Sequence, residues 1–137
     1  MIRVGEYVRI WGRIGKVTKI HPHNPMFDDG FDMKSFKGNE FIMCGKEAMK
    51  ELETTPNPIG LVEYMDLIWV KNPIKLYDKD IEVALFNPVR CDGFTTFEDG
   101  THCIILNLDY IVDIKDLEIT HIMTKEQILY NQFKVGD

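Results

Sequence analysis

Glu6-Tyr7-Val8-Arg9-Ile10-Trp11-Gly12-Arg13-Ile14-Gly15-Lys16-Val17-Thr18-Lys19-Ile20 is the stretch whose reading decides the fold. Its first part alternates with period two, Val8 and Ile10 on one side against Tyr7, Arg9 and Trp11 on the other, which is the pattern of a half-buried strand. Gly12-Arg13 supplies a tight connection, because glycine tolerates the positive φ that such turns need. Ile14 to Ile20 returns as a second strand, and His21-Pro22-His23-Asn24-Pro25 stops it, since proline cannot donate to a ladder. The chain opens with a β-hairpin.

Outward from the hairpin, residues 21–38 carry Pro22, Pro25, Asp28, Asp29, Gly30 and Gly38 and read as a long loop, a length that in small domains marks a functional or mobile segment. Residues 39–44 read as a short strand and residues 46–52 as a helix with Ala48, Met49 and Leu52 inward. Thr54-Thr55-Pro56-Asn57-Pro58 ends that helix and is the boundary candidate. Residues 81–86 read as a strand closed by Asn87-Pro88, and residues 94–97 and 101–106 flank Glu98-Asp99-Gly100, a hairpin signal. Leu117, Ile119, His121 and Met123 alternate against Glu118, Thr120 and Ile122. Thr124-Lys125-Glu126-Gln127 is a capping box that starts a terminal helix of about two turns. A faint repeat aligns Val4 to Ile10 with Tyr64 to Val70, sixty positions on, an acid preceding a strand in each. The expected fold class is therefore mainly β with two short helices, built as small SH3-like barrel units packed together. The expected division is 1–55, an N-terminal β unit with a short helix, and 56–137, a second β unit ending in a helix, or else one compact domain.

With 137 residues, 45% of them hydrophobic, the chain suits one domain or two very small ones and is too apolar for a disordered tail. No run of apolar residues is long enough to span a bilayer, and the opening Met1-Ile2-Arg3-Val4-Gly5-Glu6 lacks the apolar core of a secretory signal. Three widely spaced cysteines suit a reducing compartment, so the expected location is the cytoplasm, away from any membrane. The net charge of -6 is unevenly spread. Residues 1–20 hold five basic side chains and one acid, the rest eleven and twenty-one, for +4 followed by −10. Such asymmetry steers partners rather than shaping the fold.

Catalytic chemistry finds little support. His21, His23, Asp28 and Asp29 form one loose metal-ligand group and Cys91, His102, Cys103 and His121 another, but neither has the paired spacing of a tetrahedral site. Cys103 beside His102 cannot form a nucleophile–base pair, because neighbours on a strand point to opposite faces. No phosphate-binding or nucleophile-elbow pattern occurs. The expectation is a non-enzyme without metal or cofactor. Two binding sets remain. Tyr7, Arg9, Trp11, Arg13, Lys16 and Lys19 combine cations with aromatics, the chemistry that stacks bases and holds phosphates. Asp28, Asp29 and Asp32, with Asp78, Asp80 and Glu82, would complement a basic groove on a partner.

With these segments placed, a resemblance emerges. Arg3-Val4-Gly5-Glu6-Tyr7-Val8-Arg9 and Gly12-Arg13-Ile14-Gly15-Lys16-Val17 resemble the opening of small SH3-like proteins of prophages and phages of Gram-positive bacteria. Asn57-Pro58-Ile59-Gly60-Leu61-Val62-Glu63-Tyr64-Met65-Asp66-Leu67-Ile68 is similar to their second unit, with Met65 where that unit carries glycine. Ile119-Thr120-His121-Ile122-Met123-Thr124-Lys125-Glu126-Gln127, then Tyr130 and Lys134-Val135-Gly136-Asp137, looks like their ending. The resemblance implies a phage-borne accessory protein in the cytoplasm of a bacterial host, a gene setting that often yields small binders blunting host defence, including inhibitors of RNA-guided, CRISPR-type nucleases. The expected function is a non-catalytic protein that binds and blocks a bacterial protein or ribonucleoprotein with a basic surface. The alternatives are single-stranded nucleic-acid binding through residues 1–20, and sequestration of a nucleotide signal.

Overall fold

A computed structural model describes residues 2–21, 30–44 and 52–135. The chain forms two compact units, Met1–Leu61 and Val62–Asp137. In the first, β1 (Tyr7–Ile10) pairs antiparallel with β2 (Arg13–His21), Tyr7 facing Lys16 and Ile10 facing Arg13. The connection is Trp11-Gly12, not Gly12-Arg13. Both residues are left-handed, at φ 49° and 72°, and two positive φ values in a two-residue loop make the type I′ turn that matches strand twist. Trp11 is thereby lifted out of the strand and stands 65% exposed at the hairpin tip.

β3 (Gly30–Ser35) pairs with β2, and β4 (Glu40–Cys44) pairs with β3. Thr18 is an extra residue in β2, a bulge between Val17 and Lys19. The expected loop over 21–38 is thus corrected: a central strand occupies Gly30–Ser35. Phe31 and Met33 on β3 are fully buried and pack with Val8, Ile10 and Val17, and Ile2, Phe41 and Leu52 close over them. Period-two alternation against Asp32 and Lys34 was present in the sequence, but the surrounding prolines and glycines masked it. The helix expected at 46–52 lies, apart from Leu52, outside the described residues.

The second unit contains β5 (Leu67–Val70), β6 (Ile74–Lys75), β7 (Glu82–Val83), β8 (Val89–Thr96), β9 (His102–Leu106), β10 (Tyr110–Asp113), β11 (Ile119–Met123) and the helix α1 (Lys125–Val135). Its main sheet runs β10-β9-β8-β5-β11. Ile68, Val89, Cys91, Ile104, Leu106 and Val112 are buried in this sheet, and Cys103, on the opposite face of β9 from Ile104, is buried as well. A register shift between Ile119 and His121 turns Ile122 inward and buries it, whereas the sequence alternation pointed His121 that way. The barrel expectation is overturned. Among the described residues the mainly β character stands, but neither sheet joins its first strand to its last, as closure demands. The free edge of β1 is taken by Thr55, which exchanges two backbone hydrogen bonds with Tyr7 at 2.8 and 2.9 Å, so β4 has no strand edge there to join.

The repeat at sixty positions is a shared turn. Gly5 and Met65 are both left-handed, at φ 89° and 78°. The Gly5 N–H donates to Val17 O and the Met65 N–H to Cys91 O, each at 2.8 Å. Glu6 O and Asp66 O then accept from the N–H groups of the same residues, Val17 and Cys91, each at 2.9 Å. The acids differ in what they tether. Glu6 Oε1 accepts from the Thr54 hydroxyl at 2.7 Å, while the buried Asp66 accepts from the Glu63 N–H at 2.8 Å and the Lys125 N–H at 2.9 Å. Thr124 caps α1 as the capping box requires, its hydroxyl accepting from the Gln127 N–H and the Gln127 carbonyl accepting from the Thr124 N–H.

Two outcomes follow from this packing. A Cβ on Gly15 would sit 2.5 Å from Met33 Cγ and 2.8 Å from Lys34 O, so Gly15→Ala should cost the first unit about 1–3 kcal/mol, read by urea unfolding of Trp11 fluorescence in a Trp69→Phe background. Asp66→Ala strips two part-buried N–H groups of a charged acceptor and should cost the second unit about 2 kcal/mol, read through Trp69 in a Trp11→Phe background.

Candidate partner-binding arm

The second unit carries a long antiparallel arm in one continuous register. Leu67 faces Arg90 and Ile68 faces Val89, and further out Ile74 faces Val83 and Lys75 faces Glu82. Between these ladders stand Pro73 and Pro88, which have no N–H to give. Side-chain amides carry the ladder across the gap. The Val70 N–H donates to Asn87 Oδ1 at 2.8 Å and Asn87 Nδ2 donates to Val70 O at 2.9 Å. Likewise the Leu85 N–H donates to Asn72 Oδ1 at 2.9 Å and Asn72 Nδ2 donates to Leu85 O at 2.8 Å. Each primary amide reproduces the donor and acceptor of a backbone peptide.

The arm is also held near its tip. The Tyr77 N–H donates to Ile111 O at 2.8 Å, its ring stacks on Phe97 with centroids 4.4 Å apart, and its hydroxyl donates to Asp99 Oδ2 at 3.2 Å. Desolvation and the Asp99 charge push the Tyr77 pKa up, and the Thr101 N–H on Asp99 holds that carboxyl below its ordinary value. Inward, Ile74 and Leu85 are buried; outward, the alternate residues Glu82, Ala84 and Phe86 are exposed. Phe86 is 97% exposed, although the residues on both sides of it are fixed by the amide clamps.

The acidic candidates separate. Asp78, Asp80 and Glu82 share the arm, where Lys75 and Lys79 alternate with them; Asp78 makes the turn at φ 53°. Asp32 lies on β3 of the first unit and accepts from His21 Nε2 at 2.7 Å. Asp28 and Asp29 lie outside the described residues.

The basic candidates do not form one patch. Cross-strand partners share a face, so Tyr7, Arg9, Lys16 and Lys19 lie on one face of the first sheet, covered at the row of Arg9 and the buried Ile14 and open to solvent at Lys16 and Lys19, while Arg13, opposite Ile10, lies on the other. Arg13 sits over the Phe41 ring at 4.3 Å, and Arg9 Nη1 donates to Leu61 O at 3.1 Å. Tyr7 stacks on Phe36 with centroids 5.8 Å apart, and the Lys16 ammonium lies 5.9 Å from the Tyr7 ring centroid. The sequence reading missed Lys34, hidden in the supposed loop, and the exposure of Phe86, which it placed in a strand. The signal for the second was Asn-Pro immediately after Phe86, paired with Asn72-Pro73 across the arm.

Elsewhere the polar groups are structural. Arg90 Nε donates to Asp92 Oδ1 at 2.6 Å, which raises the arginine's pKa, and Asp92 Oδ2 accepts from the Leu108 N–H at 2.7 Å in the β9–β10 turn. Cys91 and Cys103 are buried free thiols whose pKa values desolvation pushes up, away from the nucleophilic thiolate. Among the described residues no cluster of His, Cys, Asp or Glu suits a metal ion. No described helix is long and apolar enough to cross a membrane. Comparison with protein families, with curated proteins and with solved structures yields no match.

The clamp geometry makes a local prediction. Asn72→Ala removes both bonds to Leu85 and should destabilise that point by about 2 kcal/mol. Hydrogen exchange at the Leu85 N–H should accelerate about 30-fold, while the Val70 N–H, held by Asn87, keeps its protection.

Proposed function

We propose that the chain is a non-catalytic binding protein whose second unit docks on, and blocks, a bacterial protein or ribonucleoprotein with a basic surface. Phe86 carries the reading: a fully exposed aromatic flanked by Leu85 and Asn87, the one held through its backbone and the other through its side chain by the amide clamps. Buried aromatic anchors dominate interface energies, and an anchor whose backbone is already ordered loses little entropy on docking. Charge supports the choice of partner. Residues 62–137 carry seven Lys+Arg against fourteen Asp+Glu, a net −7, whereas residues 1–61 carry nine against eight, a net +1. The arm itself is balanced, so attraction comes from the acidic unit as a whole and affinity from Phe86. The resemblance to phage accessory proteins favours a host-defence component, of the RNA-guided nuclease kind, as the blocked partner.

Affinity capture from a Gram-positive host lysate tests this. Wild-type protein should retain a specific complex that high salt weakens. Phe86→Ala, with unchanged melting, should weaken it about 30-fold, the equivalent of a 2 kcal/mol anchor. Equal recovery by both proteins, or nothing above background, overturns the reading.

A further inference from the structure

The register of the first sheet assembles a set of cations that the hairpin alone does not contain. Tyr7, Lys16, Lys34 and Glu40 face one another across β1 to β4 as one row, and Lys19, Asp32 and Ile42 form the next. Lys16, Lys19 and Lys34 are all exposed, and among the described residues none of them forms an ion pair. Lys16 and Lys34 stand directly opposite, on strands about 4.8 Å apart. Like charges so placed repel, and an anion bound between them relieves the repulsion. Among the described residues the carboxylates on this face are Asp32, which accepts from His21, and Glu40, opposite Lys34 at the β4 edge.

We infer that the solvent face of the first sheet binds single-stranded nucleic acid, its phosphates held by Lys16, Lys19 and Lys34. Ile42 on the same face is 72% exposed and offers apolar surface for unstacked bases, and Trp11 at the hairpin tip offers a stacking plane. Tyr7 does not serve in that role, because Phe36 covers one side of its ring. A duplex is the wrong shape: its major groove admits a helix or a two-stranded ribbon, not a four-stranded sheet face, whereas open sheet faces take splayed single strands. Arg13, on the opposite side of the sheet, has no part in the site.

Fluorescence anisotropy of the full chain with a labelled oligothymidylate of about twenty nucleotides tests the assignment. Three lysine–phosphate contacts on a single strand predict an affinity loss of about 20-fold between about 50 and 200 mM salt. Lys34→Gln should bind more weakly and reduce that salt loss to about 7-fold, while Arg13→Gln behaves as wild type. Four results would each sink the proposal: no binding at the lower salt, equal weakening by Arg13→Gln, equal binding of a duplex of the same length, or displacement by polyglutamate at matched charge.

Discussion

Each unit hangs from a left-handed residue followed by an acid. In the second unit the buried Asp66 carboxylate gathers the N–H groups of Glu63 and Lys125, and its backbone carbonyl receives Cys91 from β8. One residue thus fixes the start of β5, the start of α1 and the pairing across the sheet. Its charge faces the N-terminus of α1, where unpaired N–H groups and the helix dipole favour an anion. Met65, immediately before it, holds φ 78° without being glycine, a conformation that costs an L-residue about 1–2 kcal/mol. The Met65 N–H bond to Cys91 and the two carboxylate bonds offset that cost. The first unit uses the same turn more cheaply, with glycine at the strained position and Glu6 reaching only the Thr54 hydroxyl.

This shared turn explains which parts of the fold were legible. The hairpin of β1 and β2, the β8–β9 hairpin and the capping box are local signals: the residues that make the bonds sit within a few positions of one another or across one short turn. β3 was lost because its flanking prolines and glycines spoke louder than Phe31-Asp32-Met33-Lys34, and its burial depends on strands contributed from both sides. The arm was lost for a different reason. Asn87-Pro88 reads as a break, which locally it is, and Asn72-Pro73 places a second proline without an N–H across from it. Only when the two segments lie in register do the asparagine amides turn both proline sites into rungs. A compensation between residues thirteen and seventeen positions apart is invisible to periodicity.

The charge asymmetry also changes meaning once the strands are placed. The excess of cations in residues 1–20 is split by the sheet, Arg13 going to one face while Lys16 and Lys19 go to the other and gain Lys34. The basic character of the hairpin therefore describes a sheet face rather than a chain segment. The acidic excess belongs to the second unit as a whole rather than to its arm, where lysines and carboxylates alternate.

Exposure alone does not single out Phe86, since isolated apolar side chains are common on protein surfaces. Leu108 and Tyr130 are also well exposed. What separates Phe86 is the rigidity beneath it. Leu108 occupies a left-handed turn and Tyr130 an external helix position, whereas Phe86 stands between Leu85, whose backbone N–H and C=O are held by the Asn72 amide, and Asn87, whose own side-chain amide is tied to the Val70 backbone. Two asparagine side chains are thus committed to rigidifying a segment whose outward face contributes no burial to its own unit. Rigid backbone under a fully solvated aromatic ring gives that ring no added stability in the free protein; the gain appears only when a partner covers it, because the ordering entropy has already been met in folding.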